Sequence, residues 1–233
     1  LASSAQETLA ALPYSSGTTG LPKGVMLSHF NLLSNVFQFL ADGQLRGLRE
    51  GDIALCFLPL YHIYGLNVVL NPTLVKGATI ILMPRYERTS ALSLIQAHNI
   101  TWIPSVPAVL NSLAEAAEQG NFPAHHHVRY TKSGAAPLAA ELAERYTRFT
   151  GIPVVQGYGM TEASPVTHCG FLEREIYRPS SIGRPVADTE CRLIEESPAG
   201  CAEPYGQLVM RGPNFMSGHW NDPGATYEGV RDG

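Results

Sequence analysis

Residues 14–25 read YSSGTTGLPKGV, with three glycines, four serine or threonine hydroxyls and one lysine in twelve positions. Glycines can take φ > 0, so successive backbone amides can turn into one concavity, and such a nest binds anions. Ser15, Ser16, Thr18 and Thr19 add hydroxyl donors, and Lys23 adds a movable positive charge. Pro22 stiffens the bend and holds Leu21 extended. The chemistry that suits this density is the wrapping of a polyphosphate. A glycine-rich turn with no ligand is the competing reading. The order differs from GxxxxGK[ST], because the lysine stands between Pro22 and Gly24.

A second group lies in QGYGMTEASPV, residues 156–166. The Thr161 hydroxyl suits a phosphate oxygen. The Glu162 carboxylate suits Mg²⁺, which takes one or two carboxylates plus substrate oxygens. Equally, Glu162 can complement the dipole of a helix start. His62 falls between a buried strand and a buried helix, where a satisfied core histidine is the competing reading. His125, His126 and His127 are adjacent, and consecutive histidines rarely converge on one metal, so they read as an exposed loop.

The elements that must position these residues are set by the apolar pattern. A short strand is expected over Leu9–Tyr14, and a helix over SHFNLLSNVFQFL, capped by Ser28 or Asn31, whose start lends its positive end to the bend. Strands are expected at Ile53–Leu58, Ala78–Met83, Val128–Gly134 and Ile152–Gln156. Helices are expected at Leu66–Val75, Ser90–His98, Pro107–Gln119 and Pro137–Thr150, the last stopped by Gly151. Alternation at this spacing implies an α/β fold with a mostly parallel sheet flanked by helices. From about residue 181 the texture changes to short strands and Pro/Gly turns, which implies a small β-rich subdomain. The division is thus 1–180, α/β, and 181–233, β-rich.

The chain has 233 residues, 16 Lys and Arg against 20 Asp and Glu, and 15% charged residues. The net charge of −4 offers no basic stripe for nucleic acid. Cys56, Cys169, Cys191 and Cys201 show no CxxC spacing, which suits reduced thiols and a cytoplasmic location. Ile53–Val75 is uncharged and long enough to span a bilayer, but Pro59, His62, Gly65, Asn67, Asn71 and Pro72 break it into strand, turn and helix. The chain opens at Leu1 and ends on GVRDG in mid-turn, so a fragment of a longer protein is expected, with apolar cut surfaces and self-association.

The bend resembles the signature of the adenylate-forming enzymes, the superfamily of acyl-CoA synthetases, coumarate–CoA ligases, firefly luciferase and peptide-synthetase adenylation domains. LPLYHIYG (58–65), KSGAAPL (132–138), QGYGMTEASPV and GQLVMRGPNFMSGHWNDPGAT (206–226) fit the same superfamily in the same order. QGYGMTE is closer to the CoA ligases than to peptide-synthetase domains.

This resemblance implies an incomplete large domain whose β-rich part is a distorted barrel. It implies attack of a carboxylate on the α-phosphorus of ATP, then a thioester with coenzyme A, in the presence of Mg²⁺. The acid is expected to be a medium- or long-chain fatty acid. An aryl acid, a carrier-protein acceptor or a non-catalytic nucleotide-binding module are the alternatives.

It assigns Ser15, Ser16, Gly17, Thr18, Thr19, Gly20 and Lys23 to the β- and γ-phosphates. It assigns Ser133, Gly134, Ala135, Ala136 and Pro137 to a wall beside adenine, and Gln156, Gly157, Tyr158, Gly159, Met160 and Thr161 to AMP, with Tyr158 stacking on the base unless it is a packed core tyrosine. Lys23, His62, Thr161 and Glu162 are the catalytic set, Glu162 holding Mg²⁺. His62, Tyr64, Val68, Gly159, Pro165 and Val166 line the acid pocket, with Gly159 leaving its floor open. Family members carry further groups beyond this sequence, among them an aspartate for the ribose and a lysine for adenylation, so the fragment alone is expected to be inactive.

Overall fold

The computed structural model describes residues 4–15, 21–41, 48–170, 178–195, 197 and 205–230. The expected phosphate donors Ser16, Gly17, Thr18, Thr19 and Gly20 lie outside the described residues.

The approach strand divides at Pro13 into β1 (Leu9–Ala11) and β2 (Tyr14–Ser15), and both pair antiparallel with β3 (Lys23–Ser28). β3 stands where the sequence pattern has the bend run straight into a helix. Its cause is visible in the side chains: Val25 and Leu27 are fully buried against Ile63 and Met216, at strand spacing. Helix α1 (His29–Ala41) therefore starts beyond the strand, and its dipole does not open the bend. Both expected caps are used. Ser28 Oγ accepts from the Asn31 amide at 3.2 Å, and Asn31 Oδ1 accepts from the Ser28 amide at 2.9 Å, a reciprocal capping pair.

The main sheet has the order β10–β9–β8–β7–β6–β4–β5. Its parallel part comprises β5 (Thr79–Leu82), β4 (Ile53–Cys56), β6 (Trp102–Ser105), β7 (Tyr130–Ser133) and β8 (Val154–Gly159). β9 (Val166–Cys169) and β10 (Arg184–Pro185) extend it antiparallel, so sheet pairing crosses residue 180. Neighbouring residues on a strand feed opposite faces. Leu55, Ile103 and Val154 join one core with Leu110, Leu113 and Tyr146 from the helices α4 (Pro107–Glu118) and α5 (Ala140–Thr150), next to α3 (Arg88–Ala97). Ala54, Trp102 and Val155 join the other with Phe39, Tyr64 and Val68. Both faces are buried, as parallel sheets require.

Ile53–Val75 resolves into β4, a connection, a π-helical segment (Gly65–Leu70) and α2 (Asn71–Val75). The widened turn sits just ahead of Pro72, whose ring would clash with a carbonyl of a regular preceding turn. Among the described residues no helix is long and apolar enough to cross a membrane. β6 is a strand that the sequence pattern does not announce, and Pro104 is the reason. The register to β4 is confined to Ala54↔Trp102, so the missing N–H falls beyond that pairing, while four residues pair with β7. Helix α5 begins at Ala140 and not at Pro137, because the Leu138 amide is drawn to Gln156 Oε1 at 2.7 Å and Ala139 is extended.

Beyond the sheet, β11 (Glu190–Glu195) and β12 (Gly206–Arg211) form a separate antiparallel pair. β13 (Gly218–His219) returns to pair with β3, and α6 (Pro223–Gly229) comes after it.

Helix α3 begins on an unanticipated cap. Glu87 accepts from the Thr89 and Ser90 amides at 2.9 and 2.6 Å. These bonds, the Ser90 side-chain and backbone donors foremost, hold its carboxyl down at about 2, against an ordinary value of 4.5. A depressed folded value stabilises above the unfolded one. The cap's contribution is therefore complete above about pH 4.5 and is lost as pH falls toward 2. Protection of the Thr89 and Ser90 amides, measured against their intrinsic exchange rates, is expected to fall through that window in the wild type, and to be low already at pH 6 in Glu87→Ala.

Candidate nucleotide site

Tyr14–Ser15 and Lys23–Ser28 form the two arms of a hairpin, with Ser15 opposite Lys23. Both arms pack against the 3₁₀ turn Thr161–Ala163. A backbone tie reinforces this: the Met216 amide donates to the Glu162 carbonyl at 2.8 Å, while Met216 packs with Val25 and Leu27 of β3. The described arms of the bend and the Thr161–Glu162 turn are thus neighbours, although they stand about 140 residues apart in the chain. Lys23, Thr161 and Glu162 are each only partly buried.

The segment expected beside adenine follows the C-terminal end of β7. Ser133 is fully buried, and its hydroxyl has no hydrogen-bond partner among the described residues. Gly134 lies against Tyr64: a side chain there would sit 3.2 Å from the Tyr64 ring. Ala135 takes φ 66° and is exposed with Ala136 and Pro137. Gln156 is buried and anchors this loop, its Oε1 accepting from the Leu138 amide. Tyr158 presents a ring that is 36% exposed, backed by His168 edge-on at 6.0 Å between centroids. It is neither a fully buried core tyrosine nor a ring without contacts. Burial depresses the His168 imidazole below its ordinary value, so the group behind the ring is neutral at physiological pH.

The expected pocket residues divide. His62 is exposed, and its Nδ1 accepts from the Tyr64 amide at 3.1 Å, which leaves the proton on Nε2 of the neutral ring. Tyr64 is buried, with its hydroxyl donating to the Lys132 and Ser105 carbonyls at 3.0 and 3.3 Å. Burial drives its phenol far up, so it stays un-ionised. Val68, Pro165 and Val166 are buried. The space at Gly159 is filled by backbone: a Cβ there would fall 2.0 Å from the Pro165 carbonyl oxygen. Gly159 is therefore needed for a close crossing of two backbone segments, and it is not an open floor.

Glu162 is a single carboxylate. Among the described residues no group of three His, Cys, Asp or Glu could hold a metal alone. That donor set fits Mg²⁺ shared with phosphate oxygens, and not a closed protein cage. Of the three adjacent histidines, His125 and His127 are exposed as expected, whereas His126 is half-buried, edge-on against Phe122 and 3.2 Å from the Thr150 carbonyl. Sequence reasoning missed the buried amides Asn35, Asn67 and Asn214, which hold the backbone of the Ala163–Val166 segment. Their spacing carried no signal, because each comes from a different element.

A family description, AMP-binding enzyme, matches residues 2–220. The chain is 35% identical over 231 residues to a long-chain-fatty-acid–CoA ligase of Bacillus subtilis, covering 98% of this chain and 40% of that protein. It is 41% identical over 225 residues to 4-coumarate–CoA ligase 3 of Arabidopsis thaliana, covering 93% of this chain and 40% of that one. The crystal structure of ATP-bound MatB from Rhodopseudomonas palustris superposes with a TM-score of 0.83 at 29% identity, covering 100% of this chain and 45% of that chain. The chain thus spans about two fifths of the length of these curated relatives.

Proposed function

The chain belongs to the AMP-binding enzyme family, and on that premise we propose that it is the nucleotide- and acid-binding part of an acid–CoA ligase. The observation that carries this is the packing of both arms of the Ser15–Lys23 hairpin against the Thr161–Ala163 turn. In the proposed reaction a carboxylate oxygen attacks the α-phosphorus of ATP, giving an acyl-adenylate as pyrophosphate leaves. The thiol sulfur of CoA then attacks the acyl carbonyl, the thioester forms and AMP leaves.

In this reading Ser15 and Lys23 hold the outer phosphates, and the Thr161 hydroxyl holds the α-phosphate. Bound Mg²⁺, held by Glu162, supplies charge neutralisation of the phosphates. Gly134 to Pro137 and Tyr158 enclose the adenine. His62 points its Nε2–H toward the acid carboxylate, and Val68 and Val166 give the site an apolar side that suits a hydrophobic acid. A medium- or long-chain fatty acid is the first choice and an aryl acid the second. Such chemistry needs positioning and charge stabilisation more than a covalent partner on the protein.

The exposed Phe30, Leu33 and Phe37 on α1 support self-association of the isolated chain. Residues 1–233 alone are proposed to bind nucleotide without turnover.

Isothermal titration of residues 1–233 with AMP tests the reading. Binding is expected, and Tyr158→Ala is expected to weaken it about tenfold, the loss of one base–aromatic stack. Absence of AMP binding by the folded wild-type chain would overturn the proposal. For the longer protein that carries this chain, octanoate, palmitate and 4-coumarate offered with CoA or a carrier protein separate the acid and acceptor classes.

A further inference from the structure

Four buried side-chain amides converge on the segment just after Glu162. Asn35, Asn67 and Asn214 are fully buried, and Gln38 nearly so. Asn35 on α1 grips Val166 at two points: its Nδ2 donates to the Val166 carbonyl at 2.7 Å, and its Oδ1 accepts from the Val166 amide at 3.0 Å. Asn214, between β12 and β13, donates to the Ala163 carbonyl at 2.7 Å. Asn67, in the π-helical segment, donates to the Ser164 carbonyl at 2.5 Å. Gln38 links two of them, accepting from Asn35 Nδ2 at 3.1 Å and donating to Asn214 Oδ1 at 3.3 Å. The loop that carries Asn214 also supplies the Met216 amide to the Glu162 carbonyl.

Burying amides is unfavourable unless each finds partners, and apolar residues would fill the same volume without that requirement. Here they come from three separate elements and address one short run of backbone. That run includes Ser164 at φ 68°, a left-handed conformation that a non-glycine residue holds only when its surroundings over-determine it. Thr161 and Glu162 lead directly into it. A fully satisfied buried polar network rigidifies what it touches.

We propose that Asn35 and Asn214, coupled through Gln38, are positioning residues for the Thr161–Glu162 turn. They fix the direction of its hydroxyl and carboxylate relative to the strand arms at Ser15 and Lys23, without touching a ligand themselves. The role toward a nucleotide rests on the function proposed above. The clamp on the turn is a property of the free protein.

The test uses the full chain and four variants: Asn35→Ala, Asn214→Ala, the milder Gln38→Leu, and Tyr146→Phe as a control. Tyr146 shares a buried hydrogen bond with Thr131 at 2.9 Å in the other core, away from the turn. Hydrogen exchange of the ligand-free chain is read at the Ala163 and Ser164 amides. ATP affinity is read with and without Mg²⁺.

Exchange at those amides is expected to rise about tenfold or more in each Asn variant beyond any global loss of stability, and about threefold in Gln38→Leu. Tyr146→Phe should show no such local excess. The factor by which Mg²⁺ tightens ATP binding is expected to fall about fivefold in the Asn variants and to stay within about twofold in Tyr146→Phe. If the Ala variants do not fold, Gln38→Leu carries both readouts. Unchanged local exchange would overturn the clamp. Faster exchange with an unchanged Mg²⁺ effect would reduce it to a structural tie and overturn the positioning role. Faster exchange in a chain whose wild type binds no nucleotide would uphold the clamp and overturn the function reading instead.

Discussion

Glu162→Gln is expected to remove most of the affinity that Mg²⁺ adds to ATP binding, about tenfold or more, while AMP affinity changes by less than about twofold. The substitution keeps the size and one carbonyl oxygen and removes the charge. Mg²⁺ demands near-octahedral oxygen ligands and is held through one or two carboxylates plus phosphates, so a single neutralised ligand is felt in full. The backbone around the change is pinned independently, since the Glu162 carbonyl accepts from the Met216 amide at 2.8 Å. The turn should therefore keep its shape, and the loss would report the carboxylate alone. In a longer, active protein the same change is expected to slow adenylation by about 10²–10³, the usual loss when one charge-stabilising group is removed. Titration of wild type and variant with ATP, with and without Mg²⁺, decides it. An undiminished Mg²⁺ effect in Glu162→Gln would place the metal elsewhere.

The donor clusters that make up the candidate site are legible in the sequence because they are local. Residues 14–25 and 156–166 each concentrate their donors within a dozen positions, and the packing of hairpin on turn brings the two together. The alternating strands and helices were legible for the same reason, since period and punctuation are properties of a short window. What stayed hidden depends on partners distant in the chain. β3 reads as the end of the bend, because KGVMLS lies directly between the glycine-rich run and the helix, and only the burial of Val25 and Leu27 marks it as a strand. β6 was masked by Pro104, which this sheet tolerates where pairing to β4 has already ended. Pro137 reads as a helix start, yet Gln156 on another strand claims the Leu138 amide first. The buried amides were the largest omission. Asparagine in a sequence reads as turn or surface, and nothing in a window reveals that Asn35 meets Val166 across 131 positions.

Arg129→Ala is expected to cost about 3 kcal/mol of folding free energy, the low end of the range for removing one partner of a buried ion pair. Asp52 is only 5% exposed. It accepts from the Arg129 guanidinium at 2.8 and 2.7 Å, from the Thr101 hydroxyl at 2.9 Å and from the Arg49 amide at 2.6 Å. With the guanidinium gone, the Thr101 hydroxyl and the Arg49 amide are left facing a buried charge that has lost its counterion. Partial access of water at Arg129, whose side chain is 31% exposed, keeps the loss from being larger. For a chain of this size the melting temperature should fall by about 6–12 °C. Arg129→Lys should recover part of it, since it keeps the charge but not the planar guanidinium whose Nη2 reaches both Asp52 oxygens.

Asp52, Thr101 and Arg129 each stand immediately before β4, β6 and β7, so the carboxylate buckles the N-terminal ends of three adjacent parallel strands. The candidate site is built at the other end, where Ser133 closes β7 and Gly159 closes β8. Ligand sites of open parallel sheets gather at that carboxyl edge. Stability and nucleotide affinity should then separate: the folded Arg129→Ala chain, measured well below its melting temperature, is expected to bind AMP within about twofold of wild type. A larger loss of affinity would mean that the two edges of the sheet communicate, and that the site is shaped by how tightly the opposite edge is drawn together.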